Sequence, residues 1–138
     1  MDFIPPYLAI ALLGAVLAAV FLAAGHAAGL TRSRGAWVVT MIAIALFYVV
    51  FAVDGTHAMG FVFNASVATL FIGMAFLGYA TTLWWVVAAL VLHLIFDVTY
   101  HVFESNPAPH WWGPICLGMD GVLAAWLAVM LRRGVLHR

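Results

Sequence analysis

Two histidines and an aspartate stand four residues apart in His93-Leu-Ile-Phe-Asp97-Val-Thr-Tyr-His101. At 100° per residue, positions i, i+4 and i+8 of a helix fall within an arc of about 80°. One helix face would then present two imidazoles and a carboxylate, joined by Glu104 if the helix continues that far. Imidazole plus carboxylate is the usual ligand set for zinc, copper, iron or manganese. Ligands at i and i+4 reach a single ion because they stack on one face. A third ligand normally comes from another element, and His110 is the obvious candidate. Further along, Cys116 and Asp120 are again four apart. Asp120 suits a general base, a carboxylate that orients a ligating histidine, or a ligand of a second ion. The expected metal ligands are thus His93, Asp97, His101 and His110, with Asp120 as the catalytic residue. Asp54, His57, Cys116 and Glu104 are secondary candidates.

The elements that must position these residues are apolar. The chain has 138 residues, of which 67% are hydrophobic and 7% charged. Its mean hydropathy is +1.16. A soluble domain carries roughly 25% charged residues, and no soluble fold of this length could bury so much apolar surface. These values exclude a water-soluble enzyme, and a net charge of zero leaves no basic surface for nucleic acid. The one cysteine, Cys116, excludes an intrachain disulfide framework and a cysteine-only metal site.

A spanning helix needs about 20 mostly apolar residues. Five such stretches account for nearly the whole chain: about Ile4 to Leu30, Ala36 to Val53, Ala58 to Tyr79, Thr82 to Phe103, and Trp112 to Arg132. The expected fold is all-α: a single transmembrane domain, residues 1–138, built as a bundle of five helices. The first stretch lacks the positive start of a signal peptide and is read as a retained helix. Pro107 and Pro109 break the segment between the fourth and fifth spans. Ala15, Ala19, Ala23 and Ala27, four apart, predict a smooth packing face on the first span.

The charges set an orientation. Arg32 and Arg34 follow the first span, while Arg132, Arg133 and Arg138 follow the fifth. With five spans these places lie on one side, which should be cytoplasmic. The N-terminus is then outside and the C-terminus inside, with Asp2, Asp54 and Glu104 near the outer face. Trp37, Tyr79, Trp84 and Trp85 would mark the inner interface, and Tyr7, Trp111 and Trp112 the outer one. In this register Asp97 lies roughly 9 Å and His93 roughly 15 Å below the outer end of the fourth span.

Each polar residue also has a plainer role open to it. A membrane His with an Asp one turn away forms a structural ion pair without any ligand. His110 in a loop suits a solvated histidine. Asp54-Gly55 is ordinary turn chemistry, and Cys116 packs as a small apolar side chain. Asn64 suits an interhelical hydrogen bond. His26 lies apart from the cluster and is read as structural, His137 as solvated. The methionines form no Met-x-Met run and read as packing.

The segment from His93 to Asp120 resembles small uncharacterised bacterial polytopic membrane proteins. These carry His-x3-Asp-x3-His on one helix, a Pro/Trp loop, and a helix with a buried Asp. More loosely, Asp97 and His101 are similar to the membrane copper site of particulate methane and ammonia monooxygenases, with His110 as the implied third ligand. The gap from His101 to His110 is shorter here than in that family. The first resemblance implies a bacterial cytoplasmic (inner) membrane, and the second a transition metal ion, copper among the choices.

Three functions fit these residues. The leading one is a metal-binding membrane protein, a metal-dependent hydrolase or oxidoreductase acting on a lipid or other apolar substrate at the outer leaflet. The second is a transporter or channel subunit moving protons or metal ions along the same His/Asp cluster. The third is an accessory subunit of a membrane redox complex, with His93 or His101 ligating haem or chlorophyll. Membrane lipid is the expected partner, with a homo-oligomer or larger complex open. The absence of lysine excludes a retinal Schiff base. A reporter fused to the C-terminus is expected to be active only in the cytoplasm; activity outside it would overturn the orientation.

Overall fold

Long apolar runs with few breakers make helices, and the breakers set their ends. The computed structural model describes residues 4–55, 58–101 and 111–134. Five α-helices follow in order: α1 Ile4–Ala27, α2 Arg34–Gly55, α3 Ala58–Ala80, α4 Trp84–His101 and α5 Trp112–Arg132. A single 3-10 turn, Leu30–Arg32, joins α1 to α2. Among the described residues there is no strand. Pro5, Pro6 and Pro114 occupy first helical turns, where no N–H is required of them. Gly29 and Gly134 take positive φ, 81° and 70°, just past the ends of α1 and α5. A side chain there would be strained, so both glycines act as helix stops.

Four helices are long and apolar enough to cross a membrane; α4 is shorter. The fourth expected span, Thr82 to Phe103, is realised over 18 residues, roughly 27 Å at 1.5 Å per residue. Its start is set by the turn at Thr82, whose hydroxyl accepts the Trp84 N–H at 3.4 Å. Phe103 lies outside the described residues.

The bundle is arranged around α4. This helix packs on α5, α3 and α2; α2 also packs along α3, and α1 packs along α5. His26 stacks edge-on against Trp126, while Gly14 meets Ile115, so α1 and α5 run parallel. Phe51 near the end of α2 meets Trp112 at the start of α5, so those two run antiparallel. Arg34 at the start of α2 donates to the Gly78 and Tyr79 carbonyls at the end of α3, at 3.0 and 2.7 Å. That contact satisfies two orphan carbonyls and places a cation on the negative end of the helix dipole. Arg32, Arg34, Arg132 and Arg133 therefore stand at one end of the bundle.

Large apolar side chains cover the outside, with Leu12 67% and Val39 65% exposed. In water such a surface would be an aggregation site; facing lipid it is the ordinary outer wall of a membrane bundle. Polar side chains on the helices close on their own backbones, as Thr40, Ser66, Thr69 and Thr81 donate to carbonyls four residues back. This local bonding is how hydroxyls are accommodated where water is absent.

Two expectations change. The α1 packing face is not Ala15, Ala19, Ala23 and Ala27: only Ala15 is partly buried, and the others are exposed. Instead Gly14, Ala18 and Leu22 face inward. The reason is close backbone approach. A Cβ at Gly14 would run into the Ile115 carbonyl, and one at Gly118 into the Ala11 carbonyl. Only glycine lets the two backbones come that near, so the helix rotates to present Gly14. Trp37 is also not an interfacial anchor. It is buried, and its indole N–H donates to the Thr31 carbonyl at 2.9 Å.

Gly118→Val should lower unfolding stability by about 1–3 kcal/mol, the usual cost of overpacking. Gly73, around which a Cβ would meet nothing within 4 Å, is the control; Gly73→Ala should leave the denaturant midpoint nearly unchanged.

Candidate metal centre

The buried residues of α4 are Val86, Ala89, Leu90, His93 and Asp97. Their spacing of three and four defines one helical face. The apolar members drive that face into the bundle, and His93 and Asp97 go with it. On α5 the inward face carries Cys116, Asp120, Leu123, Ala124 and Leu127. Packing α4 against α5 brings Asp120 opposite His93.

The result is a closed polar group. His93, Asp97 and Asp120 are 2%, 0% and 1% exposed. His93 Nδ1 lies 2.8 Å from Asp120 Oδ2 and 3.3 Å from Asp97 Oδ2. One ligand atom from each residue falls within 4.8 Å of the others. Among the described residues, Asp97 Oδ1 and Asp120 Oδ1 have no hydrogen-bond partner. An unsatisfied buried carboxylate oxygen is costly, so these oxygens mark where a further polar or cationic partner fits.

Aromatic rings fix the imidazole. Phe71 of α3 meets it edge-on at 5.0 Å between centroids, and Phe96 and Tyr48 stand at 6.1 and 6.2 Å. Tyr48 also stands edge-on to Phe96 at 5.3 Å. Towards the N-terminal end of α5, Trp112 packs edge-on against Phe47 and Phe51 of α2, at 4.8 and 5.1 Å. These rings cover the site on the side away from the arginines.

The structure brings together three of the expected residues, and Asp120 joins His93 and Asp97 directly. Cys116 is buried one turn before Asp120 on the same face. His101 is the last residue of α4, about 12 Å along the axis from His93, and its side chain lies outside the described residues. The same holds for the Asp54 side chain at the end of α2, and for all of His57, Glu104 and His110. Asn64 is buried and donates to the Gly60 carbonyl of its own helix at 2.8 Å. His26 sits apart, 3.1 Å from the Thr31 hydroxyl.

Tyr48 is the site residue that sequence reasoning missed. A signal was there: it falls in line with Met41, Ile44, Ala45 and Ala52 on the buried face of α2. A phenol on an inward face in hydrocarbon needs a polar neighbour.

Removing one member should unbalance the group. His93→Leu leaves two facing carboxylates and should cost about 3–5 kcal/mol in unfolding stability. In a double-mutant cycle with Asp120→Leu, a coupling of about 1–3 kcal/mol is expected; additive effects would show that the two do not act together. No protein-family model, curated protein or solved structure matches the chain.

Proposed function

We propose that this is a metal-binding membrane protein in which His93, Asp97 and Asp120 hold a first-row transition metal ion inside the bundle. One observation carries the reading: two carboxylates and one imidazole converge in an apolar interior away from every described arginine. A neutral imidazole and two carboxylates leave two negative charges, which a divalent cation balances. Donor atoms bound to one ion at 2.0–2.2 Å stand about 2.8–3.6 Å apart. The separations at His93 Nδ1, 2.8 and 3.3 Å, lie in that range. The unpartnered Oδ1 atoms offer further donors.

A set of three protein donors leaves coordination positions open, as catalytic rather than structural sites do. An ion there would act as a Lewis acid or supply an activated water. The aromatic wall of Phe71, Phe96 and Tyr48 would exclude bulk water. We therefore favour a metal-dependent enzyme, hydrolase or oxidoreductase, acting on a lipid or apolar substrate. Substrate would enter from the end away from the arginines. With the arginines cytoplasmic, that end is the outer leaflet of a bacterial inner membrane.

A transporter is the weaker reading because of what lies on the other side. Between the site and the arginine end, Leu83, Val86, Leu90, Leu123, Leu127 and Leu131 are fully buried. They form an aliphatic plug across the bundle, which offers an ion or proton no polar stepping point.

The test is elemental analysis of detergent-purified protein after reconstitution with zinc, manganese, iron and copper in turn. About one ion per chain is expected for at least one metal, lost in Asp97→Asn and in Asp120→Asn. Failure of the wild type to retain any of them would overturn the proposal and leave a proton-sharing polar network.

A further inference from the structure

α1 and α2 are consecutive, yet their backbones make no close approach among the described residues. α1 is held by α5 and by the Leu30–Arg32 turn, whereas α2 is held by α3 and α4. The two helices therefore diverge from the turn and leave a groove between them of about 580 Å³. Phe21, Leu22 and Gly25 form one wall, Trp37 and Val39 the other, and Thr31 the floor. The lining is overwhelmingly apolar. Thr31 and Thr40 do not change that, since each hydroxyl already has a partner in His26 or the Ala36 carbonyl.

The groove sits at the arginine end of the bundle. Arg32 and Arg34 flank the turn that closes it, and Arg132 and Arg133 stand at the same end. The described carboxylate side chains are those of Asp97 and Asp120, both in the middle of the bundle. Among the described residues, Arg32 thus has no acidic counterpart in the protein. Arg34 is directed to the backbone carbonyls of α3, which are neutral. Arg32 is exposed beside the groove.

We infer that this groove is a binding site for an anionic phospholipid, with one acyl chain between α1 and α2 and the headgroup phosphate on Arg32. The chemistry is complementary along its length. An apolar slot open to the membrane removes methylene surface from nothing more favourable than other lipid, so shape holds the chain. The charge then selects the headgroup, since a basic residue at the membrane surface favours an anionic lipid by about fivefold in affinity. The site is independent of the metal centre, which lies deeper in the bundle on other helices.

The structure also supplies variants that fill the groove without breaking the fold. A Cβ at Gly25 would meet only Thr31 and Leu30 at ordinary van der Waals distance. Gly25→Phe would occupy the slot from the α1 side, and Val39→Trp, from an exposed position, from the α2 side. The experiment is native mass spectrometry of the detergent-solubilised full chain with dioleoyl phosphatidylglycerol or dioleoyl phosphatidylcholine. The expected result is one retained phosphatidylglycerol per chain, bound about fivefold more tightly than phosphatidylcholine. Arg32→Gln should remove that preference, and each groove-filling variant should remove the adduct. Equal binding of the two lipids, or unchanged binding in both groove-filling variants, would overturn the inference. A fall in oligomeric state on filling the groove, with lipid binding unchanged, would instead assign it to a second copy of the chain.

Discussion

Two carboxylates sharing one imidazole nitrogen inside a layer of hydrocarbon impose a condition on everything around them. Each charge placed there loses its water, and a surplus charge costs several kcal/mol even after relaxation. No described arginine reaches the middle of the bundle, so His93, Asp97 and Asp120 face one another there without a basic partner from the arginine end. Their separations require α4 and α5 to hold one register. A slip of one residue would rotate Asp120 by 100° and break its contact with His93, leaving only the His93–Asp97 contact within α4. The aromatic rings of Phe71, Phe96 and Tyr48 then hold the imidazole in the orientation the carboxylates need.

The rest of the packing is consistent with this role for α4 and α5. On the arginine side the aliphatic plug from Leu83 to Leu131 keeps the polar group dry. On the other side Trp112, Phe47 and Phe51 perform the same task with aromatic bulk. α1 adds little to the interior. It packs on α5 through a glycine-mediated contact and adds Ala18 and Leu22 to the core, while its large side chains from Leu8 to Phe21 face outward.

Much of this organisation is legible in the residues, and the gaps have physical causes. Hydropathy alone marks the helices, since a run of 20 apolar residues has few other uses. The placement of His93 and Asp97 on one face follows from i, i+4 geometry, and the inward direction of that face from Val86, Ala89 and Leu90. The direct pairing of Asp120 with His93 is less legible, because it depends on the axial register of two helices, which no periodicity encodes. Tyr48 is hard to read for a similar reason: its ring neighbours, His93 and Phe96, are on α4. The α1 face is not legible, because four spaced alanines look as smooth as a glycine contact. Smoothness does not measure how near two backbones can come, and Gly14 against Ile115 decides that. Trp37 is ambiguous in sequence, because an indole near a helix start suits both an interface and a capped turn; the Thr31 carbonyl selects the second.

The divergence of α1 from α2 has a consequence for how the protein is made. A ribosome delivers helices in order, and neighbours usually pair as hairpins while later segments are still being synthesised. Among the described residues, the first helix makes no close backbone approach to the second, third or fourth. Its partner is α5, whose first residue, Trp112, follows the last residue of α1, Ala27, by three intervening helices. α1 must therefore wait in the membrane, tethered by a single turn, until α5 has been made. The long-range contact between first and last helices closes the bundle, so a chain truncated before α5 loses the docking of its first helix as well as its last.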